Sequence, residues 1–177
     1  FNESIKIKEK LSDKKGQGSS LFNRGKTYFY DQNYLQAIKD FKNSSLIVDT
    51  DDNIQKNNRF IGMSYYYLAN HDSSTWYLDE CYDYYDDDAR KHLSILPFMI
   101  VSYKKQNNEK LLKKALDEFN IIILEEDPYP YDNILVNWAA YNTFTLLNNK
   151  DQAAEYLENA YLELKTQSKN IKNKKDR

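Results

Sequence analysis

Residues 18–48 read GSSLFNRGKTYFYDQNYLQAIKDFKNSSLIV, and this stretch decides the fold class. In its second half, small and apolar side chains recur three or four positions apart, at Ala37, Ile38, Phe41, Ser44 and Ser45. That spacing is typical of an amphipathic helix, and Leu21, Gly25 and Tyr28 share one face of a helix before it. Because the polar stretch Asp31-Gln32-Asn33 separates the two segments, we predict an antiparallel helical hairpin.

The same organisation recurs three more times along the chain. The further pairs of helical segments are 54–69 with 73–86, 88–106 with 108–126, and 131–147 with 150–169. Short polar turns separate the members of each pair, and Gly25 and Gly62 hold the same place in their segments, 37 residues apart. A period in the thirties of helix–turn–helix units is typical of an α-solenoid, so we predict an all-α protein.

The small and aromatic positions of these units resemble tetratricopeptide repeats. That family has a small residue and then an aromatic residue in its first helix, and small and aromatic residues at set places in its second. The first unit matches at Gly25, Tyr28, Tyr34, Ala37 and Phe41, the second at Gly62, Tyr65, Leu78 and Cys81, and the fourth at Phe144, Ala153, Leu157 and Ala160. The third fits less closely, with Tyr103, Leu112, Leu116 and Phe119 as its register. The resemblance implies a right-handed superhelix of about four hairpins.

The resemblance also divides the chain. We expect residues 1–17 to be the end of a preceding repeat plus a loop, and residues 170–177 to be a basic polar tail. Between them lies the repeat domain 18–169, with units at about 18–52, 53–87, 88–127 and 131–169. Because Phe1-Asn2-Glu3-Ser4 aligns with Phe41-Lys42-Asn43-Ser44, the chain is interpreted as a fragment of a longer repeat array, in keeping with a bacterial signalling protein. Within the third unit, Pro97 is expected to kink a helix or to start a new one.

Composition excludes several functional classes. The 25 basic and 27 acidic residues leave a formal net charge of -2, which argues against nucleic acid as a partner. A single cysteine excludes an internal disulfide framework and a cysteine-based zinc site. No apolar run approaches the ~18 residues that would span a bilayer, so we predict no direct membrane insertion. The sequence carries no localisation signal, and the compartment stays open between cytoplasm and periplasm.

The residues that could carry chemistry form no catalytic or metal-binding pattern. His71 and His92 have no Cys or His partner at ligand spacing, and we expect both to be exposed to solvent. Cys81 falls on a packing position of a second helix and is expected to be buried and unreactive. The acidic run 82–88 lacks the alternation of a calcium loop, and we expect one of its last two aspartates to cap the next helix. We therefore predict no enzymatic activity, no metal and no cofactor.

A binding groove is the remaining candidate site. In tetratricopeptide repeats the first helices line a concave surface that often holds a peptide, and the resemblance assigns that role here to Phe22, Lys26, Phe29, Tyr30, Lys56, Arg59, Met63, Tyr66, Tyr67, Lys104, Lys105, Trp138 and Asn142. Aromatic, Met and Arg side chains often anchor interfaces, and the cations favour an acidic or C-terminal carboxylate partner. The alternative is that these aromatic side chains pack between helices of the protein itself or contact further repeats of a longer array.

The predicted function is therefore a non-catalytic, protein- or peptide-binding scaffold. The alternative is a signal-sensing domain of a larger bacterial regulator, which binds a short peptide or small molecule and relays a change in curvature. Self-association through exposed repeat ends is a further possibility, and the sequence does not determine the oligomeric state.

Overall fold

The protein is all-α in the residues described by the computed structural model, which are 1–85, 88–125 and 133–169. Throughout these three ranges every regular element is a helix, as predicted. The chain divides into two compact units, one up to residue 86 and the other from residue 87. The first unit contains α1 (Asn2–Lys10), α2 (Lys14–Tyr30), α3 (Tyr34–Ile47), α4 (Asp51–Tyr67) and α5 (His71–Tyr84). The second contains α6 (Ala89–Leu93), α7 (Leu96–Lys105), α8 (Glu109–Glu125), α9 (Asn133–Leu146) and α10 (Lys150–Lys169).

Five tight turns of one kind join the helices within the hairpins and join α1 to α2. The middle residue of each turn has a positive φ between 55° and 60°, at Ser12, Gln32, Ala69, Asn107 and Asn148. The next residue is always Asp or Asn, and its N–H donates to a carbonyl five positions earlier, as from Asn33 to Tyr28 and from Asn149 to Phe144. Asn tolerates the left-handed conformation, and both Asn and Asp are favoured helix N-caps. The polar turns of the sequence therefore end one helix and begin the next.

The first unit repeats its packing after 37 residues. A Cβ added to Gly25 would lie 2.7 Å from the Phe41 ring, and one added to Gly62 would lie 2.6 Å from the Leu78 side chain. The Ser44 hydroxyl donates to the Gly18 carbonyl at 3.0 Å, and the Cys81 thiol donates to the Gln55 carbonyl at 3.2 Å. In both bonds the donor lies 26 residues after the acceptor. Small residues thus let the two helices of each hairpin approach closely, as the sequence pattern predicts.

The side chain of Phe60 on α4 packs among three rings of the first hairpin. The ring of Phe60 lies 5.6 Å from that of Phe22, 5.5 Å from that of Phe29 and 5.2 Å from that of Phe41, centroid to centroid. All four rings are buried. Edge-to-face and offset pairs of this kind add about 0.5–1.5 kcal/mol each beyond the area they bury, so this cluster is the centre of the first unit's core.

The second unit has its own core around α7. Residues Leu96 to Tyr103 are all buried. Pro97 stands in the first turn of α7, so it restarts a helix after the short α6, in line with one of the two expected outcomes. Asp88 caps α6 by accepting from the Lys91 N–H at 3.0 Å, also as predicted. The Phe144 ring stacks on Tyr156 at 5.3 Å and packs against Phe119, which joins α8, α9 and α10.

Two expectations are wrong, one about where α2 begins and one about the exposure of His92. Helix α2 begins at Lys14, because the Asp13 side chain accepts from the Gly16 N–H at 2.9 Å, so the expected loop before residue 18 shrinks to a three-residue turn. His92 is buried, with its Nδ1 3.5 Å from a carboxylate oxygen of Glu118, because the short α6 folds onto α8. His71 is half-buried at the start of α5. Pro128 and Pro130, which disfavour a helix between the third and fourth predicted units, lie outside the described residues.

Candidate functional site

The thirteen predicted groove residues divide between the two units. Nine of them lie on α2 and α4 of the first unit, and Lys104, Lys105, Trp138 and Asn142 lie on α7 and α9 of the second. In the first unit the structure places the cationic groups of Lys26, Lys56 and Arg59 over the rings of Phe22 and Phe60, and the Lys26 Nζ also lies over the ring of Tyr30. We refer to Lys26, Tyr30, Lys56 and Arg59 as the α2/α4 face.

Three predicted ligand-contacting residues belong to the core instead. Phe22, Phe29 and Met63 are 7%, 2% and 1% exposed. Phe22 and Phe29 enclose the ring of Phe60, because α4 packs directly against the first hairpin. Their burial leaves little of these side chains for a ligand to contact, which agrees with the alternative that they pack between helices.

Tyr66 and Tyr67 are half-buried at the end of α4. The ring of Tyr67 stacks on that of Tyr34 at 5.2 Å and packs edge-to-face against that of Phe29 at 5.8 Å. Tyr67 therefore packs α4 against the end of α2 and the start of α3, next to the turn of the first hairpin. Burial raises the pKa of both tyrosines, which keeps their hydroxyl groups protonated at neutral pH. Tyr66 lies against Tyr67 and His71.

Two lysines of the α2/α4 face rest on aromatic rings. The Lys56 Nζ lies 4.1 Å from the centre of the Phe22 ring, and the Lys26 Nζ lies 5.4 Å from that of Phe60 and 5.8 Å from that of Tyr30. Cation–π contacts of this kind contribute about 0.5–1 kcal/mol at exposed sites. Neither lysine has a carboxylate within 4.0 Å among the described residues. Their charge is thus held in place on the surface without being neutralised.

Arg59 lies on α4 and interacts both with the Phe60 ring and with residues at the end of α5. Its guanidinium carbon lies 5.1 Å from the centre of the Phe60 ring, and its charge also acts on Cys81 and Tyr85. Burial raises the pKa of the Cys81 thiol to about 12, although the Arg59 charge acts in the opposite direction. Cys81 is fully buried, as predicted, and its thiol is protonated at neutral pH.

A cavity that the sequence did not reveal adjoins the α2/α4 face. It measures about 540 Å³ and is lined by residues from the start of α2, the end of α3 and the start of α4, namely Lys14, Lys15, Ser19, Ile47, Val48, Asp49, Thr50, Asp52, Asn53 and Lys56. Lys56 belongs to both the cavity and the face. One signal in the sequence is spacing, since Lys15 and Ser19 lie four positions apart and so share one face of α2.

The four predicted residues of the second unit differ in their surroundings. Lys104 forms an ion pair with Glu109 across the turn at 3.4 Å, and Lys105 is exposed. Trp138 is 42% exposed, and its ring lies 5.1 Å from that of Tyr141. The Asn142 amide donates to the Trp138 carbonyl at 2.9 Å, which leaves its carbonyl oxygen as a surface acceptor.

Comparisons with known proteins do not assign a function to this site. Comparison of the chain with family models, with curated proteins and with solved structures finds no match. The described parts of the chain contain no group of three or more His, Cys, Asp or Glu side chains placed to hold a metal ion. Nor do they contain a helix with the length and apolar character needed to cross a membrane. The site is therefore interpreted from its own residues.

Proposed function

We propose that this protein is a non-catalytic helical-repeat module that binds an acidic peptide segment on the α2/α4 face. The observation that carries the proposal is the pair Lys26 and Lys56, whose ammonium groups sit on aromatic rings and lack carboxylate partners within the described part of the chain. Tyr30, which is exposed beside Lys26, adds an aromatic contact of the kind that anchors interfaces.

The architecture we propose is a right-handed solenoid like that of tetratricopeptide repeats. Its support is the 37-residue correspondence within the first unit, where Gly25 pairs with Phe41 as Gly62 pairs with Leu78. The shared turn geometry extends the correspondence to the hairpins α7/α8 and α9/α10, since Asn108 and Asn149 make the same backbone hydrogen bond as Asn33. In such an array the first helices line one surface, and α2 and α4 are the first helices here.

Binding would use the charge already fixed on the α2/α4 face. Packing against Phe22 and Phe60 restricts the two lysine stems, so less side-chain entropy remains to be lost when a carboxylate arrives. The adjoining cavity carries both signs of charge, because Lys14 and Lys15 line it together with Asp49 and Asp52. Because the ammonium groups are near solvent, the attraction weakens with salt, over a screening length of about 10 Å at 0.1 M.

The test is a binding titration with a defined probe. A fluorescein-labelled hexapeptide of Glu and Asp with one central Tyr is titrated by fluorescence anisotropy, beside a peptide in which Gln and Asn replace the acids. We expect Lys56→Glu to weaken binding of the acidic peptide at least tenfold, which is about 1.4 kcal/mol. The matched control is Lys39→Glu, the same charge change at an exposed position of α3, and it should cost much less.

Two results would contradict the proposal. One is equal affinity for the acidic and the amide peptide, because a basic face must discriminate between them. The other is an equal loss of affinity in Lys56→Glu and Lys39→Glu, because that would assign the effect to net charge and not to the α2/α4 face. Circular dichroism of both variants is recorded first, so that a loss of helix is not read as a loss of binding.

A further inference from the structure

A second cavity lies on the last hairpin, far along the sequence from the α2/α4 face. It measures about 350 Å³ and is lined by α9, α10 and the turn between them, at Tyr141, Thr145, Asn148, Lys150, Ala153, Ala154 and Leu157. Its volume lies within the range of about 300–1,000 Å³ that is usual for binding pockets. The lining is mostly apolar, so the cavity is suited to an apolar or aromatic side chain.

The hairpin α9/α10 has the same turn as the hairpin α2/α3. The N–H of Asn149 donates to the Phe144 carbonyl at 2.9 Å, as that of Asn33 does to Tyr28 at 2.8 Å. When positions are counted from these two asparagines, every residue that lines the cavity has a counterpart in the first hairpin. The counterparts of Tyr141, Thr145, Asn148, Lys150, Ala153, Ala154 and Leu157 are, in that order, Gly25, Phe29, Gln32, Tyr34, Ala37, Ile38 and Phe41.

In the first unit, aromatic side chains of α4 pack on three of those counterpart positions, Phe29, Tyr34 and Phe41. Phe60 of α4 stacks on Phe41 with 5.2 Å between ring centroids. Tyr67, seven residues later on α4, stacks on Tyr34 at 5.2 Å and meets Phe29 at 5.8 Å. The protein therefore already contains one example of how this surface is filled, which is by an amphipathic helix with aromatic residues at positions i and i+7.

On the last hairpin, the described residues leave the same surface open. Leu157 is 41% exposed, whereas its counterpart Phe41 is fully buried at 0%. Thr145, Ala154 and Leu157 are smaller than their counterparts Phe29, Ile38 and Phe41, whereas Tyr141 is larger than its counterpart Gly25. Trp138, the counterpart of Phe22, stands half-exposed beside the cavity against Tyr141.

We propose that the α9/α10 cavity binds an amphipathic helix of a partner protein, which inserts two aromatic side chains spaced seven residues apart. In the first unit, α4 supplies such a helix. The residues of this sequence after α10 read NIKNKKDR and contain no aromatic side chain, so they lack that chemistry. Exposed apolar surface of this kind favours a protein partner. The proposal does not depend on the α2/α4 face.

The experiment uses Trp138 as its reporter. The chain has two tryptophans, so Trp76→Phe leaves Trp138 as the only one, and its emission is followed during titration with a peptide of residues 51–67. We expect saturable binding with a shift of the emission, because the partner helix removes the indole from water. A peptide with Phe60→Ala and Tyr67→Ala should bind at least tenfold more weakly.

A matched pair of variants on α10 tests the location. Leu157→Lys should weaken the binding at least tenfold, and Leu162→Lys, at a comparable exposure of 48% but outside the cavity lining, should leave it nearly unchanged. Equal binding by both variants overturns the proposal, because the peptide then binds elsewhere, for example in place of α4. Absence of binding to the unaltered cavity also overturns it. So does a concentration-dependent dimer that Leu157→Lys abolishes, since the occupant would then be a second copy.

Discussion

The close approach of α2 and α3 at Gly25 allows the change in the free energy of unfolding for Gly25→Ala to be predicted. An alanine Cβ at this position would lie 2.7, 2.9 and 3.1 Å from three atoms of the Phe41 ring. Phe41 is fully buried between Phe22 and Phe60, so its ring has little room to move. Overpacking of this kind costs about 1–3 kcal/mol, and the enclosure of the ring favours the upper part of that range.

The helix propensity of alanine acts in the opposite direction. Replacing Gly by Ala inside a helix stabilises by about 1 kcal/mol. We therefore expect Gly25→Ala to lower the free energy of unfolding by about 1–2 kcal/mol in total. Asn23→Ala is the matched control, because Asn23 is exposed on the same helix, and propensity alone should then raise stability by a few tenths of a kcal/mol.

The assay is urea unfolding followed by the fluorescence of Trp76, which lies on α5 in the first unit. The Trp138→Phe background makes it the only tryptophan, so the transition reports on that unit. Phe41→Leu is added to form a double-mutant cycle, in which the smaller side chain should recover part of the loss from Gly25→Ala. If Gly25→Ala unfolds at a higher urea concentration than the parent chain, the reasoning about the close approach is refuted.

Three further predictions concern the rest of the first unit. Asp40→Asn should cost about 2 kcal/mol, because Asp40 accepts two hydrogen bonds from Arg24 at 2.6 and 2.7 Å, and equilibrium unfolding measures the loss. Ala69→Gly should stabilise by about 0.5–1 kcal/mol, since Ala69 has a φ of 56° that glycine adopts without strain, and an unchanged midpoint would contradict this. The Cys81 pKa, raised by burial from 9.0 to about 12, leaves the folded thiol protonated while the unfolded one ionises. The contribution of Cys81 to the free energy of unfolding is therefore complete below about pH 9 and is lost as the pH rises towards 12. The burial is tested with a thiol reagent at pH 8. It would be disproved if the native chain reacted as fast as the unfolded chain.

The local signals of the sequence predicted most of the helices and their turns. Asp, Asn and Gln at the turns identify the helix ends, because these residues suit helix caps or the left-handed conformation. The prediction of a turn at residues 106–108 holds even in the third unit, where the repeat pattern was least regular, because Asn108 caps α8 and its N–H bonds to the Tyr103 carbonyl. The start of α2 was predicted too late, because one aspartate side chain caps a stretch rich in Lys and Gly.

The candidate site was predictable only in part. The places of Lys26 and Lys56 on α2 and α4 follow from the sequence, and the structure leaves Lys56 exposed and Lys26 half-buried, each over an aromatic ring. Phe22, Phe29 and Met63 share the same helical faces in the sequence, yet they are buried. Periodicity places a residue on one side of a helix, but it does not say how closely the next helix approaches that side.

The sequence by itself determined the all-α class, the helix–turn–helix order and the pairing of small residues with large ones, because each depends on residues close together along the chain. Only the tertiary structure decided which aromatic side chains are core and which remain available. Phe41 and Leu157 hold corresponding positions in their hairpins, but α4 covers the first while the described residues leave the second open to solvent. The burial of a side chain depends on which helix packs against it, and that contact joins residues far apart in the sequence.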